Sequence, residues 1–110
     1  MKTIKTRTNG QKLRRLKLVR ETLAGEVYEY FPLGKTIVIA PGVCGGRPTF
    51  KYTRLEVGVV LSRLASGDTI DDVVRAYALS PLSPEAVREA IQLANRALIQ
   101  SAKALQPVAA

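Results

Sequence analysis

The amino-acid sequence predicts an α+β fold, mainly α: an N-terminal helix and a β-hairpin, followed by a trihelical unit with the outline of a helix-turn-helix domain. Three observations lead there. Leu13, Leu16, Val19 and Leu23 recur at helical spacing among basic residues. Two runs rich in Val, Ile, Tyr and Phe flank Pro32-Leu33-Gly34. The second half then carries three successive helix start signals. With 110 residues and a hydrophobic fraction of 46%, the chain amounts to one domain able to bury a modest core.

Taken in order, residues 1–10 are polar and Thr/Lys-rich and read as an extended basic arm, ahead of a single domain at 11–110. Residues 11–24 give the first helix, which Gly25 ends. Residues 26–31 and 35–39 form the hairpin, 41–48 a loop and 49–52 a short extended piece, so 11–52 holds the helix and the strands. The trihelical part occupies 53–105. Thr53-Arg54-Leu55-Glu56 matches a capping box; Val57, Val60, Leu61 and Leu64 then share one helical face, and Gly67 closes the helix. Thr69-Ile70-Asp71-Asp72 opens a short helix with the stripe Ile70, Val73, Val74 and Tyr77. Ser83-Pro84-Glu85 opens the last, with proline at its first position and an acid near the positive end of the dipole. By these periodicities the three helices span about twelve, nine and twenty residues.

Composition narrows the function classes. The sequence has no histidine and one cysteine, Cys44, which removes Ser-His-Asp and Cys-His catalysis, His-ligated zinc and any intrachain disulfide. The expectation is a protein that is not an enzyme and uses no metal or cofactor. Its apolar runs, such as residues 37–40, are too short to span a bilayer, and the start lacks the apolar core of a signal peptide, so a cytoplasmic protein without membrane contact is expected. The net charge of +8 sits entirely in the first twenty residues: Lys2, Lys5, Arg7, Lys12, Arg14, Arg15, Lys17 and Arg20 are there without an acid, and the other nine basic side chains balance the nine acidic ones. Such a segment attracts polyanions through counterion release, or serves solubility.

The glycine loop 42–46 does not make a phosphate cradle, because Arg47-Pro48 and an extended segment follow where a P-loop needs Lys-Ser/Thr and a helix. It reads as a tight crossing that needs positive φ, with Arg47 free to anchor an anion or to pin the loop. Cys44 reads as a small buried hydrophobe. Asp68, Asp71 and Asp72 cluster at a helix start, as the dipole favours, and do not make a metal site.

On the last helix Glu85, Arg88, Gln92, Asn95, Arg96, Gln100 and Lys103 fall within an arc of about 140°. Arg, Gln and Asn are the side chains that read base edges, whereas Glu85 and Glu89 in the first turns would repel phosphate; a merely solvated face fits equally well. The opposite side, with Val87, Ala90, Ile91, Ala94, Ala97, Leu98, Ala102 and Leu105, is wider than two short helices can cover. It points to a homodimer through this helix or to a groove for a partner protein.

The run Pro41-Gly42-Val43-Cys44-Gly45-Gly46-Arg47-Pro48, with Thr53-Arg54 after it, resembles the bacterial domain of unknown function family four-three-three. Its members look like a P-G-x-x-G-G-[RK]-P run and G-T-R, then a helix, a Gly-Asp/Glu turn and a short helix ending in Tyr. Thr53-Arg54-Leu55-Glu56-Val57, Gly67-Asp68 and Tyr77 fall in step, over about residues 37–98. Tyr52 stands where many members have Gly, Glu56 where many have Pro, and residues 78–83 exceed the usual helix-turn-helix turn. The resemblance implies a homeodomain-like helix-turn-helix fold with strands ahead of it, in which Pro41, Gly42, Gly45, Gly46, Arg47, Pro48, Thr53, Arg54 and Gly67 form the structural motif. Some relatives look like VapB-type antitoxins paired with PIN-like nuclease toxins. By that analogy this chain binds a PIN-like toxin, and its helical part binds double-stranded operator DNA. Arg88, Gln92, Asn95 and Arg96 would contact the DNA, with Lys12, Arg14, Arg15 and Lys17 on phosphate; the alternative is a homo-oligomeric protein-interaction module that binds no DNA.

Overall fold

The computed structural model describes residues 16–105. It opens with a sheet and not with a helix. Strand β1, Val19–Leu23, pairs antiparallel with β2, Glu26–Pro32, from Val19↔Tyr30 to Leu23↔Glu26. The expected helix at 11–24 is therefore overturned where it is described; residues 11–15 lie outside the described residues. The cause is local. Ala24 and Gly25 both take positive φ, 51° and 83°, the pattern of a two-residue hairpin turn that matches the twist of the strands. A left-handed glycine marks a helix end and a hairpin turn alike. β-Branched Val19 and Thr22, with inner Val19 and Glu21 alternating against exposed Arg20 and Thr22, favour the strand.

The hairpin expected around Pro32-Leu33-Gly34 is present. Strand β3, Ile37–Ile39, pairs with β2 at Phe31↔Ile39 and Pro32↔Val38. Strand β4, Thr49–Phe50, follows the glycine loop and pairs with β3 at Ile37↔Phe50 and Val38↔Thr49. The result is an antiparallel sheet in the order β1-β2-β3-β4. Three helices follow among the described residues: α1, Val57–Ala65; α2, Ile70–Ala76; and α3, Pro84–Ala104. The capping box at Thr69 forms, with Thr69 accepting from Asp72 N–H and the Asp72 carboxylate accepting from Thr69 N–H. Ser83 caps α3 by accepting from Ala86 N–H, 3.1 Å, with Pro84 as the first helical residue.

The box expected at Thr53 does not form. The Thr53 hydroxyl donates to the Phe50 carbonyl (2.7 Å) and accepts from Leu55 N–H (2.9 Å), while α1 starts after Glu56 without a side-chain cap. Residues 55–57 are instead held beside β4: Phe50 N–H donates to Leu55 O and Val57 N–H to Pro48 O. The carboxylate of Glu56, the residue just before α1, is thereby turned to Arg47.

The sheet has a different core on each face. On one, Ile37 and Phe50 pack against Val57 and Val60 of α1, Val73 of α2, Leu82, and Ala86, Val87 and Ala90 of α3. On the other, Tyr30, Val38 and Ala40 gather with Val19, Tyr28 and Val43. Small Ala86 and Ala90 let α3 come close to the sheet, and one carboxylate fixes how it lies. Glu89 accepts from Lys35 N–H (2.8 Å), from Thr36 N–H (2.8 Å) and from the Thr36 hydroxyl, all in the β2–β3 turn. A Cβ on Gly34 would stand 2.5 Å from Glu89 Oε2, so the turn closes round the carboxylate only with glycine there. Burial pushes the Glu89 carboxyl up, but the hydrogen bonds from Thr36 and Lys35 outweigh it and hold it below its ordinary value of 4.5.

Charged hydrogen bonds of this kind contribute about 1.5–3 kcal/mol, and Glu89→Gln, of the same shape, is expected to lower the unfolding free energy by about that amount. Because the folded carboxyl is depressed, its contribution is complete above the unfolded value and is lost as pH falls through the folded one. Urea titrations of both proteins between pH 7 and pH 3 should thus show a gap at neutral pH that closes in acid.

Candidate nucleic-acid and partner interface

Helix α3 has 21 residues, yet its buried residues, Ala86, Val87 and Ala90, all lie in its first two turns. Leu93 still packs, half-buried, against the same core; the helix beyond it runs past the domain body, and its two sides differ. Arg88, Gln92, Asn95 and Arg96 are all exposed. At about 100° per residue they occupy one arc, opposite the buried alanines. Glu89 lies at the edge of that arc, about 20° from Arg96, but its carboxylate is taken up by Lys35 and Thr36 in the β2–β3 turn. Glu85 remains exposed, with Oε2 3.9 Å from Arg88 Nη1. Lys17 is exposed ahead of β1, while Lys12, Arg14 and Arg15 lie outside the described residues.

On the apolar side, a groove of about 340 Å³ opens between α1 and α3, lined among others by Leu33, Pro48, Gly58, Leu61, Ala94 and Ala97. Farther along α3, Leu98 and Leu105 are 68% and 69% exposed. The helix therefore offers an apolar strip and a cation-and-amide strip side by side, with neither used by the fold.

Gly42, Gly45 and Gly46 take positive φ as the tight crossing requires, around a 3-10 turn at Cys44–Gly46. Pro41 and Pro48, at the two ends of the loop, are exposed. Arg47 grips Glu56 with both arms, Nε to Oε1 at 2.8 Å and Nη2 to Oε2 at 3.2 Å, and holds that carboxyl below its ordinary range. Cys44 is half-buried, its thiol donating to the Arg54 carbonyl at 3.2 Å. Gly67, at φ 114°, ends α1. Asp68 pairs with Arg63, and Asp72 with Arg75. Among the described residues no group of three or more His, Cys, Asp or Glu is placed to hold a metal, and no helix is long and apolar enough to cross a membrane.

One cluster went unread in the sequence. Tyr28 and Tyr30, two apart on β2, stand with Tyr52 in a row with ring centroids 5.1 and 5.4 Å apart. The Lys51 ammonium lies 4.8 Å from the Tyr30 ring and 5.1 Å from that of Tyr52. Tyr52 and Tyr30 donate to the two oxygens of Glu21, each at 2.9 Å, and lower that carboxyl. Tyr52 has φ 67°, unusual for a residue with a side chain, and its N–H donates to the Tyr28 hydroxyl at 3.1 Å. The cluster ties the β1–β2 hairpin to the corner after β4. The Tyr-x-Tyr alternation was the available signal, but the reading of β1 as a helix hid Glu21.

The described residues thus form a four-stranded antiparallel sheet and three helices, the last exposing two unlike faces. The chain belongs to the family described as Protein of unknown function (DUF433), whose model matches residues 37–94. The match begins at β3 and ends within α3, so β1 and β2 precede it. No curated protein and no solved structure matches the chain.

If Arg47 pins the loop, Arg47→Ala should leave global stability almost unchanged, as loss of an exposed ion pair does. Amide exchange at residues 43–47 and at Val57 should accelerate, which hydrogen-exchange mass spectrometry would register.

Proposed function

We propose that this chain is the antitoxin-like, non-enzymatic member of a toxin–antitoxin pair: a cytoplasmic homodimer that binds operator DNA through the polar face of α3 and a PIN-like toxin through the apolar groove beside it. One observation carries the reading. α3 extends well beyond what its own core needs, and Arg88, Gln92, Asn95 and Arg96 stand together on its outer side while Glu89 is withdrawn to the sheet. Those side-chain types match donor and acceptor patterns in a major groove, and the basic segment before β1 supplies sequence-independent attraction to phosphate. The homeodomain-like and VapB-type character comes from the resemblance of the glycine–arginine–proline motif, and the toxin partner from the same analogy.

A second reading, a homo-oligomeric interaction module without DNA, is favoured by two specific features. Seven residues separate α2 from α3, where a helix-turn-helix turn has three or four. Arg88 also has Glu85 within 3.9 Å.

Mobility-shift titrations on the DNA upstream of the chain's own gene, at two salt concentrations, separate the readings. Replacing Arg88 and Arg96 together by Ala should weaken operator binding by about tenfold or more and flatten its salt dependence, with the oligomer unchanged. Unaltered retardation, or weak retardation indifferent to sequence that vanishes in salt, would favour the module without DNA.

A further inference from the structure

We propose that two copies of this chain join through β1, edge to edge and antiparallel, about a two-fold axis at Val19. This rests on the dimeric part of the reading above and gives the dimer an axis away from α3, whose groove is then left to another protein.

Among the described strands β1 lies at the outside of the sheet. Its two-residue turn makes Leu23↔Glu26 the hydrogen-bonded closing pair, so the backbone N–H and C=O of Thr22 and Arg20 point away from β2. Natural edges are blunted by proline, by bulges or by a covering segment. β1 reads Val-Arg-Glu-Thr-Leu in unbroken register with β2, without proline or bulge, and its two charges are turned to partners within the fold, Arg20 to Glu29 and Glu21 to Tyr30 and Tyr52. The neighbourhood is also apolar: Leu16, Leu18 and Leu23 are exposed, and Val27, opposite Thr22, is 63% exposed.

Charge selects both the partner and the register. A two-fold axis at Arg20 sets Arg20 against its own copy, and an axis at Glu21 does the same for Glu21; like charges directly opposite are destabilising. With the axis at Val19, valine faces valine, and residues 16–18, which are not strand in the single copy, extend β1 so that Leu18 lies opposite Arg20 and Lys17 opposite Glu21 twice over. Val19 and Glu21 share the face that carries Tyr28 and Tyr30, since Val19 pairs with Tyr30 and Glu21 with Tyr28, and a strand continued back to residue 17 sets Lys17 on that face as well. The segment is thus complementary to itself, and the joined sheet runs continuously through eight strands, four from each copy.

Light scattering of the full chain after size exclusion tests this. The wild type should be a dimer at tens of micromolar. Thr22→Pro removes only an outward-facing N–H, because Thr22↔Val27 is a non-hydrogen-bonded pair, and it should give a folded monomer with an unchanged circular-dichroism spectrum. Lys17→Glu, at an exposed position outside the strands, keeps the test open if the proline variant does not fold. It should raise the dimer dissociation constant by about tenfold, an effect that shrinks in high salt. A wild-type monomer would overturn both this interface and the dimeric reading. A dimer indifferent to Thr22→Pro and Lys17→Glu but broken by Leu98→Glu would overturn the β1 interface and leave the dimeric reading standing.

Discussion

A carboxylate held by two backbone N–H groups and a hydroxyl has little freedom to rotate, and here that carboxylate is on the longest helix. Glu89 is gripped by Lys35 and Thr36 in the turn between β2 and β3, with Gly34 leaving room for the approach. Ala86, Val87 and Ala90 fill the space between helix and sheet, but small apolar residues alone specify rotation about the helix axis weakly. The polar contact fixes it. With Glu89 bound at the sheet, the 100° step per residue places Ala94 and Ala97 over the groove beside α1 and Arg88, Gln92 and Asn95 about 60–120° round the other way, while Arg96, on the flank of Glu89 itself, is exposed two turns farther along. What α3 presents to other molecules is therefore set by a contact 53 residues away along the chain.

The same economy of side chains attaches the hairpin. β1 meets the rest of the fold chiefly through β2, and β2 continues into β3 by only two register pairs. Tyr28, Tyr30 and Tyr52, with Lys51 and Glu21, join the hairpin to the corner after β4. The left-handed backbone at Tyr52 costs on the order of 1 kcal/mol, which its ring contacts and two hydrogen bonds offset. This attachment spans the boundary of the family segment, since Tyr52 lies inside residues 37–94 and Tyr28 and Tyr30 outside. The loop on the other side of β4 is held by the Arg47–Glu56 pair, so both ends of this two-residue strand are fastened by side chains.

Signals that act within a few residues were legible in the sequence. Thr69 with Asp72, Ser83 with Pro84, and the stripe of Val57, Val60, Leu61 and Leu64 announced the three helices, because caps and periodicity are local. The turn at Pro32-Leu33-Gly34 and the positive φ of the glycine loop were readable for the same reason. Residues 11–24 misled, since Leu16, Val19 and Leu23 fit a helical face and Gly25 fits the end of a helix as well as a hairpin turn. Thr53 and Glu56 had the spacing of a capping box, but Arg47, nine residues earlier, took the carboxylate. Glu89 looked like an obstacle to DNA because nothing near it in sequence reveals a partner at Thr36. Of the candidate contact residues, the sequence put Arg88, Gln92, Asn95 and Arg96 on one face by periodicity alone, and their exposure follows from the clamp.

The claim that Glu89 and Gly34 form one device is open to a double-mutant cycle. Unfolding free energies would be measured in urea for the wild type, Gly34→Ala, Glu89→Ala and the pair. A methyl at Gly34 displaces the carboxylate, so each single change removes the same contact, and the double variant should be destabilised little more than either, with a coupling of about 1–3 kcal/mol. Strict additivity of the two losses would contradict the account: the turn and the helix would then be held independently, and the orientation of α3 would need another cause.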